Sequence, residues 1–223
     1  MGDTSSVAGY DDRAQRQIPG YASLARLAVA LLASSPTAAT PGAAVLVVGC
    51  GTGAELSEAR AQRPDWRLSA VDPSAAMISA ARQRLGVDAE AVQWWEGPAE
   101  ELGGEARFAG AIAVLVLQEV ADDGSKLRLL TALARLLAPG APLVLVDLMG
   151  NAPSVGSSLE HQFQAAQAQF QRASGLDTDA PQALVYPIGE ARRSALLEAA
   201  GFSDPVRIFQ ALGYEGVLVQ RRS

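Results

Sequence analysis

One cysteine and one histidine serve the whole of this 223-residue chain. Cys50 has no second cysteine to pair with, and neither it nor His161 belongs to a cluster of the kind that holds zinc. Disulfide and multi-cysteine metal chemistry are therefore excluded as readings, and no metal site is expected. Positive charge is scarce as well. Eighteen Lys and Arg against 24 Asp and Glu leave a formal charge of −6, and the basic residues are almost all arginines spread singly. A protein that binds the phosphate backbone on its own needs a basic stripe. None is visible, which disfavours nucleic acid as a partner. Also missing is any run near the roughly 18 apolar residues of a membrane span. The opening "MGDTSSVAGYDDRAQR" has no apolar stretch of the leader type, so no membrane partner and a cytoplasmic location are expected.

What is present is a regular alternation of apolar runs and helix-forming segments. "IPGYASLARLAVALLASS" places Tyr21, Leu24, Leu27, Ala28, Leu31 and Leu32 on one stripe, predicting a helix over 18–35. "AAVLVVG" reads as a first strand, followed by a helix from Ala54 to Arg63 that stops at Pro64 and Asp65. "WRLSAVD" is a second strand, and "PSAAMISAARQRLG" a helix with Pro73 just inside its start and Gly86 just past its end. "AEAVQWWEG" supplies a third strand, and the continuous apolar run "RFAGAIAVLVL" a central strand buried on both faces. Asp122 and Asp123 suit the start of the helix "GSKLRLLTALARLL", and "PLVLVDL" is strand five.

The character then changes. Residues 151–188 read as a helical lid insertion in which Phe163, Ala166, Phe170 and Ala173 form a stripe that packs lid to body, and "GEARRSALLEAAGF" is a further helix whose Arg192 and Arg193 belong to a solvated face. "PVRIFQAL" and "YEGVLVQRR" close the chain as a hairpin around Gly213. Alternating strands and helices predict an α/β fold: a mostly parallel sheet covered on both faces, ending antiparallel, with residues 1–223 forming one domain.

"VLVVGCGTG", residues 45–53, stops a β-run at three alternate glycines just before a helix. Bare backbone at a helix N-terminus lets a ligand come close and offers it free amides. About twenty residues later Asp72 ends strand two, where a carboxylate can accept ribose hydroxyls. Together they indicate an adenosine cofactor. Gly49, Gly51 and Ala54 also satisfy the dinucleotide pattern, so an NAD-binding enzyme stays open. Gly53 and the terminal hairpin, which that pattern does not require, favour S-adenosyl-L-methionine.

With "VLVVGCGTG", "AVDPSAAMI", "WEGPAEEL", "VLVLQEV" and "LAPGAPLVLVD" in this order, the chain resembles the class I S-adenosylmethionine-dependent methyltransferases over nearly its whole length. The resemblance implies a Rossmann-like sheet of seven strands with an antiparallel C-terminal hairpin. Within that family "QRQIPGYASL", "LQEV" and "FQRASG…ALLEAAGF…IFQALGYEGVLV" are similar to the carboxy-S-adenosylmethionine synthase group, which makes a modified cofactor for tRNA wobble-uridine modification. The resemblance puts Tyr21, Gly49, Cys50, Gly51, Asp72, Pro73, Pro98 and Ala99 at the cofactor, with Gly53, Met77 and Val114 completing the candidate set, and it implies a homodimer.

Four positions depart from that group. Its strand-one acid is Val47, its adenine-loop acid Pro98 and its strand-four asparagine Val114, and "LDTDAPQALVYP" lacks the arginine that would hold an extra carboxylate. The reading is therefore a methyltransferase acting on a small molecule, with the synthase-like enzyme and a degenerate cofactor-binding protein as alternatives. Methyl transfer from a sulfonium needs alignment and a dry site more than a nucleophile. Candidate bases or positioning groups are Gln118, Glu119 and His161 first, with Tyr21, Asp147 and Tyr186. Cys50 is expected to contribute backbone and small size only. Of Trp94 and Trp95, one is expected in the core and the other at the adenine lip.

Overall fold

The computed structural model describes residues 7–104, 107–150, 158–177 and 184–223. Two short helices, α1 (Tyr10–Gln17) and α2 (Tyr21–Ala33), precede the sheet. The break between them corrects the helix expected from residue 18: Ile18 is extended and Gly20 is left-handed, so the Ile18-Pro19-Gly20 corner starts α2 afresh at Tyr21. Strand β1 (Ala44–Val48), helix α3 (Ala54–Gln62), β2 (Arg67–Asp72), α4 (Ala75–Leu85), β3 (Val92–Glu96), β4 (Gly110–Val114), α5 (Ser125–Leu136) and β5 (Pro142–Leu148) follow in alternation. Pro73 lies outside α4, because Ser74 takes the cap and its hydroxyl accepts from the Met77 amide. After α6 (Ser158–Ala173) and α7 (Glu190–Ala199), the hairpin β6 (Val206–Ala211) and β7 (Tyr214–Gln220) turns at Leu212 and Gly213.

The seven strands order as β3-β2-β1-β4-β5-β7-β6, parallel except where β7 pairs with β5 and β6. The expected fold class is thus present. β7 wedges antiparallel between β5 and β6, an arrangement absent from the all-parallel 3-2-1-4-5-6 dinucleotide sheet. Period-two alternation sorts the central strands onto two cores. Leu46, Val48, Ala111, Ala113, Leu143 and Leu145 face α5 and α7; Val45, Val47, Ile112, Val144 and Val146 face α2, α3 and α4. Since β1 pairs with both β2 and β4, the chain reverses direction across the sheet at β1, and a crevice opens at the carboxyl ends of these strands.

Two sequence expectations fail for one reason: the helical period identifies a stripe but not which neighbour covers it. Phe163 and Ala166 of α6 are exposed and Phe170 is half-buried, whereas Gln171 is buried and Gln167 reaches the hairpin turn at Gly213. Arg193 is not solvated. It is 4% exposed and donates to Glu215 at 3.0 Å and to the Met149 sulfur, while Arg192 pairs outside with Asp122. The parts of the proposed lid at 151–157 and 178–183 lie outside the described residues.

The carboxyl end of β5 fixes the loop that leaves β4. Leu115 is left-handed, φ 61°, so the chain turns sharply there and runs through a short 3-10 turn at Leu117–Glu119. Buried Asp147 accepts from the Gln118 amide at 3.0 Å, and the Gln118 side-chain oxygen accepts from the Leu148 amide at 2.8 Å. Fully buried Lys126 donates to the Leu117 carbonyl. Burial pushes the Asp147 carboxyl up to about 7, against the Gln118 amide and the nearby Lys126, which favour its charge. A carboxyl raised this way stabilises the fold fully below its ordinary value of 3.8, and that contribution is lost as pH rises towards about 7. Glu55, likewise raised to about 7, titrates in the same window. Thermal midpoints should therefore fall by several degrees between pH 5 and pH 8, from on the order of a few kcal/mol per group. Asp147→Asn should remove part of that slope and the double variant with Glu55→Gln nearly all of it; a slope unchanged in both would contradict the burial argument.

Candidate functional site

The site grows from the turn between β1 and α3. Gly49, Gly51 and Gly53 all have positive φ, 58°, 48° and 85°, but for different reasons. A Cβ on Gly53 would stand 2.9 Å from that of Ala81, so this glycine lets α3 close on α4. A Cβ on Gly49 would meet the Val116 side chain at 2.5 Å. Around Gly51 the space is open, with only the Gly49 carbonyl oxygen at 3.9 Å. Gly53, expected to mark the cofactor, is thus explained by helix packing. Gly51 is the glycine whose missing side chain leaves room for something else.

Asp72 ties this turn to β2. Its Oδ2 accepts from the Gly51 amide and its Oδ1 from the Ser74 amide, both at 2.9 Å. Burial raises the carboxyl while these two amides oppose the rise. Each oxygen keeps a lone pair directed away from its amide, so an oriented acceptor stands beside the open cradle. Next to it, Pro73 and Pro98 are exposed, Met77 is half-buried, and the Gly97 amide donates to the Asp72 carbonyl at 3.0 Å. The side chain of Ala99 packs into the α5-side core. Trp95 is 45% exposed beside Gly97, while Trp94 is half-buried, stacked by Arg82, and donates to the Ala89 carbonyl.

From the β4 side come Val114, half-buried at the strand end, and Glu119 on the 3-10 turn. The Glu119 side chain reaches solvent, yet packing around the carboxyl and the Asp72 charge raise it. Gln118, by contrast, is spent on structure: besides its bond to Leu148, its carbonyl accepts from the Tyr186 amide at 2.6 Å. His161 is exposed on α6, outside the elements that form the crevice. Cys50 is buried, and burial with the charges of Asp72 and Glu55 pushes its thiol up to about 12. It is a neutral small group, as its sequence context implies.

Four residues that periodicity did not single out complete the wall. Asp11 of α1 accepts from the Thr52 hydroxyl at 2.7 Å and pairs with Arg84 of α4, which also reaches Thr52 at 3.3 Å. This network lays α1 across the glycine turn. Tyr10, alongside, has its hydroxyl raised by burial and by Glu119, Glu55, Asp11 and Asp72. Tyr21 is raised likewise, by burial first and then Glu55. Glu55, in the first turn of α3, is 8% exposed. Acid two residues past the last glycine was the one local signal for it; Tyr10, Asp11 and Arg84 reach the site only through tertiary packing. Among the described residues no three His, Cys, Asp or Glu gather as a metal site, and no helix is long and apolar enough to cross a membrane.

Known proteins are similar to this chain in part of its sequence and in its fold. Residues 45–140, from β1 to the end of the β4–α5 unit, match the family described as a methyltransferase domain. The carboxy-S-adenosyl-L-methionine synthase of Campylobacter fetus is 37% identical over 82 residues, which are 37% of this chain and 34% of that enzyme; the match spans about a third of the curated relative. Among solved structures, the 1,6-didemethyltoxoflavin-N1-methyltransferase of Burkholderia thailandensis, with bound 1,6-didemethyltoxoflavin and S-adenosylhomocysteine, superposes with a TM-score of 0.66 at 23% identity, covering 99% of this chain and 85% of that one. Human N-acetylserotonin methyltransferase, in complex with its S-adenosylmethionine, gives 0.63 at 18%, covering 97% and 59%. The family match ends at residue 140, and over nearly the whole chain the fold is the one adopted by the solved S-adenosylmethionine-dependent methyltransferases.

Proposed function

We propose that the chain transfers a methyl group from S-adenosyl-L-methionine to a small molecule. The observation that carries this reading is the oriented carboxylate of Asp72 beside Gly51, whose left-handed backbone selects glycine and whose Cβ direction opens into free space. Gly49, Gly51 and the start of α3 would receive the amino-acid arm, Asp72 the ribose, and the turn at Gly97, Pro98 and Ala99 with Met77 the adenine. The sulfonium would supply an activated methyl group. What the protein's own groups contribute is alignment and exclusion of water: α1, held by Asp11 on Thr52 and Arg84, covers the glycine turn, and Tyr10 and Tyr21, neutral by burial, bring polar tips without charge. Glu119 is the acceptor-side acid best placed to hold or take a proton, since its carboxyl is raised and it stands across from Asp72.

The small-molecule acceptor is supported by the acidic balance and by the bound heterocycle of the Burkholderia neighbour. The Campylobacter relative favours a second reading, production or use of a carboxylated cofactor. Residues 176–187, where the group's arginine is looked for, contain neither Arg nor Lys. Mass spectrometry of the ligand carried through purification separates the two: S-adenosylmethionine or its demethylated thioether supports the first, and a species heavier by one carboxyl group supports the second.

Asp72→Ala should weaken S-adenosylhomocysteine binding on the order of a hundredfold in a calorimetric titration, from loss of two hydrogen bonds to a charged acceptor. Retained affinity would sink the ribose assignment. Gly51→Ala and Gly53→Ala should divide by phenotype. The first puts a methyl group in the cradle and costs ligand affinity with a loss of stability of about 1–2 kcal/mol for the left-handed backbone; the second drives α3 from α4 and lowers the thermal midpoint more. A reversal of that order would show that the cradle is ordinary packing space.

A further inference from the structure

Glu55 is a carboxylate the account above leaves without a task. It is 8% exposed, and among the described residues it enters no salt bridge. Arg84, the cation that acts on it, is committed to Asp11 and Thr52. The titratable and charged groups near enough to act on it electrostatically are Cys50 of the glycine turn, Tyr10 and Asp11 of α1, Tyr21 of α2 and Arg84 of α4. Burial without a committed counter-ion is costly for a charged carboxylate. A place in the first turn of a helix partly offsets that cost, through the helix's own amide and the positive end of its dipole.

The strand itself offers no acid at this place. Val47 is 1% exposed and packs with Ile112, Val144 and Val146. Asp72 already accepts two backbone amides on the next strand, and Asp11 is taken by Thr52 and Arg84. Beside the glycine turn, with the free acceptor directions of Asp72 assigned to the ribose, Glu55 is the buried carboxylate that among the described residues has no ion-pair partner.

Resting on the S-adenosylmethionine reading, we propose that Glu55 is the counter-ion of the cofactor's α-ammonium group, in place of the acid that β1 lacks. The ammonium donates a charge-assisted hydrogen bond to a carboxylate that is otherwise unpaired, and the two charges desolvate each other on binding. Since burial holds the free carboxyl at about 7, a bound ammonium must drive its ionisation and release a proton. Affinity for ligands carrying the ammonium should then rise from pH 6 to pH 8, as more Glu55 is already ionised before binding.

Two ligands separate this from a structural role: S-adenosylhomocysteine, and 5′-methylthioadenosine, which keeps nucleoside and sulfur but lacks the amino-acid arm. Calorimetric titration of wild type and Glu55→Gln at pH 7.5 should show S-adenosylhomocysteine weakened about tenfold or more and 5′-methylthioadenosine within about twofold. The pH dependence of wild-type affinity, which requires no variant, should appear with the first ligand and not the second. Equal losses for both ligands, or none, with a flat pH profile, would overturn the Glu55 assignment and leave the nucleoside site standing. A wild type that binds neither ligand would overturn the S-adenosylmethionine reading and this inference with it.

Discussion

The crevice is organised around the carboxylate of Asp72, which bonds the Gly51 amide through one oxygen and the Ser74 amide through the other. One side chain thereby fixes the turn after β1, the end of β2 and the cap of α4. It does so at a cost, since burial opposes its charge and the two amides restore only part of what water supplied. A group held like this cannot swing to meet a ligand. It is oriented beforehand, so a ligand accepting this geometry would bind without the entropy cost of arranging the carboxylate.

Around that tie, the three glycines of one motif divide the work. Gly53 admits α4, Gly49 admits Val116, and Gly51 admits nothing in the protein. The motif therefore serves packing at two positions and leaves open space at the third, since alternate positions along a tight turn point in different directions. The far wall is built in the same spirit. Asp147 and Gln118 bolt the loop after β4 to the end of β5, so that Glu119 stands opposite Asp72.

α1 adds a cover. Its Asp11 joins Thr52 of the turn to Arg84 of α4, and it carries Tyr10 into a neighbourhood of four acids. With Glu55 also beneath it, the covered volume holds more carboxyls than cations, a place suited electrostatically to a positively charged ligand such as a sulfonium with an ammonium arm. Each acid is nevertheless kept by a specific means: amides for Asp72, a hydroxyl and guanidinium for Asp11, and the helix start for Glu55.

Local pattern determined the order of strands and helices, because a two-residue period between turn residues and a 3.6-residue period between caps are properties of neighbouring positions. β5 was legible to the residue, and the glycine turn with Asp72 was legible as a unit because backbone conformation and strand length set that spacing. The residues decided only in three dimensions are those whose partners lie far along the chain. Arg193 looked like half of a solvated pair and is buried against Glu215; Gln118 looked like a reactive group and is a bolt; the α6 stripe chosen by its phenylalanines leaves Phe163 exposed and Phe170 only half-buried. Asp11 meets Thr52 across 41 positions and Arg84 across 73. No window of sequence contains such a contact, since it exists only after burial of the sheet's two faces has brought α1, α3 and α4 to one end of the crevice.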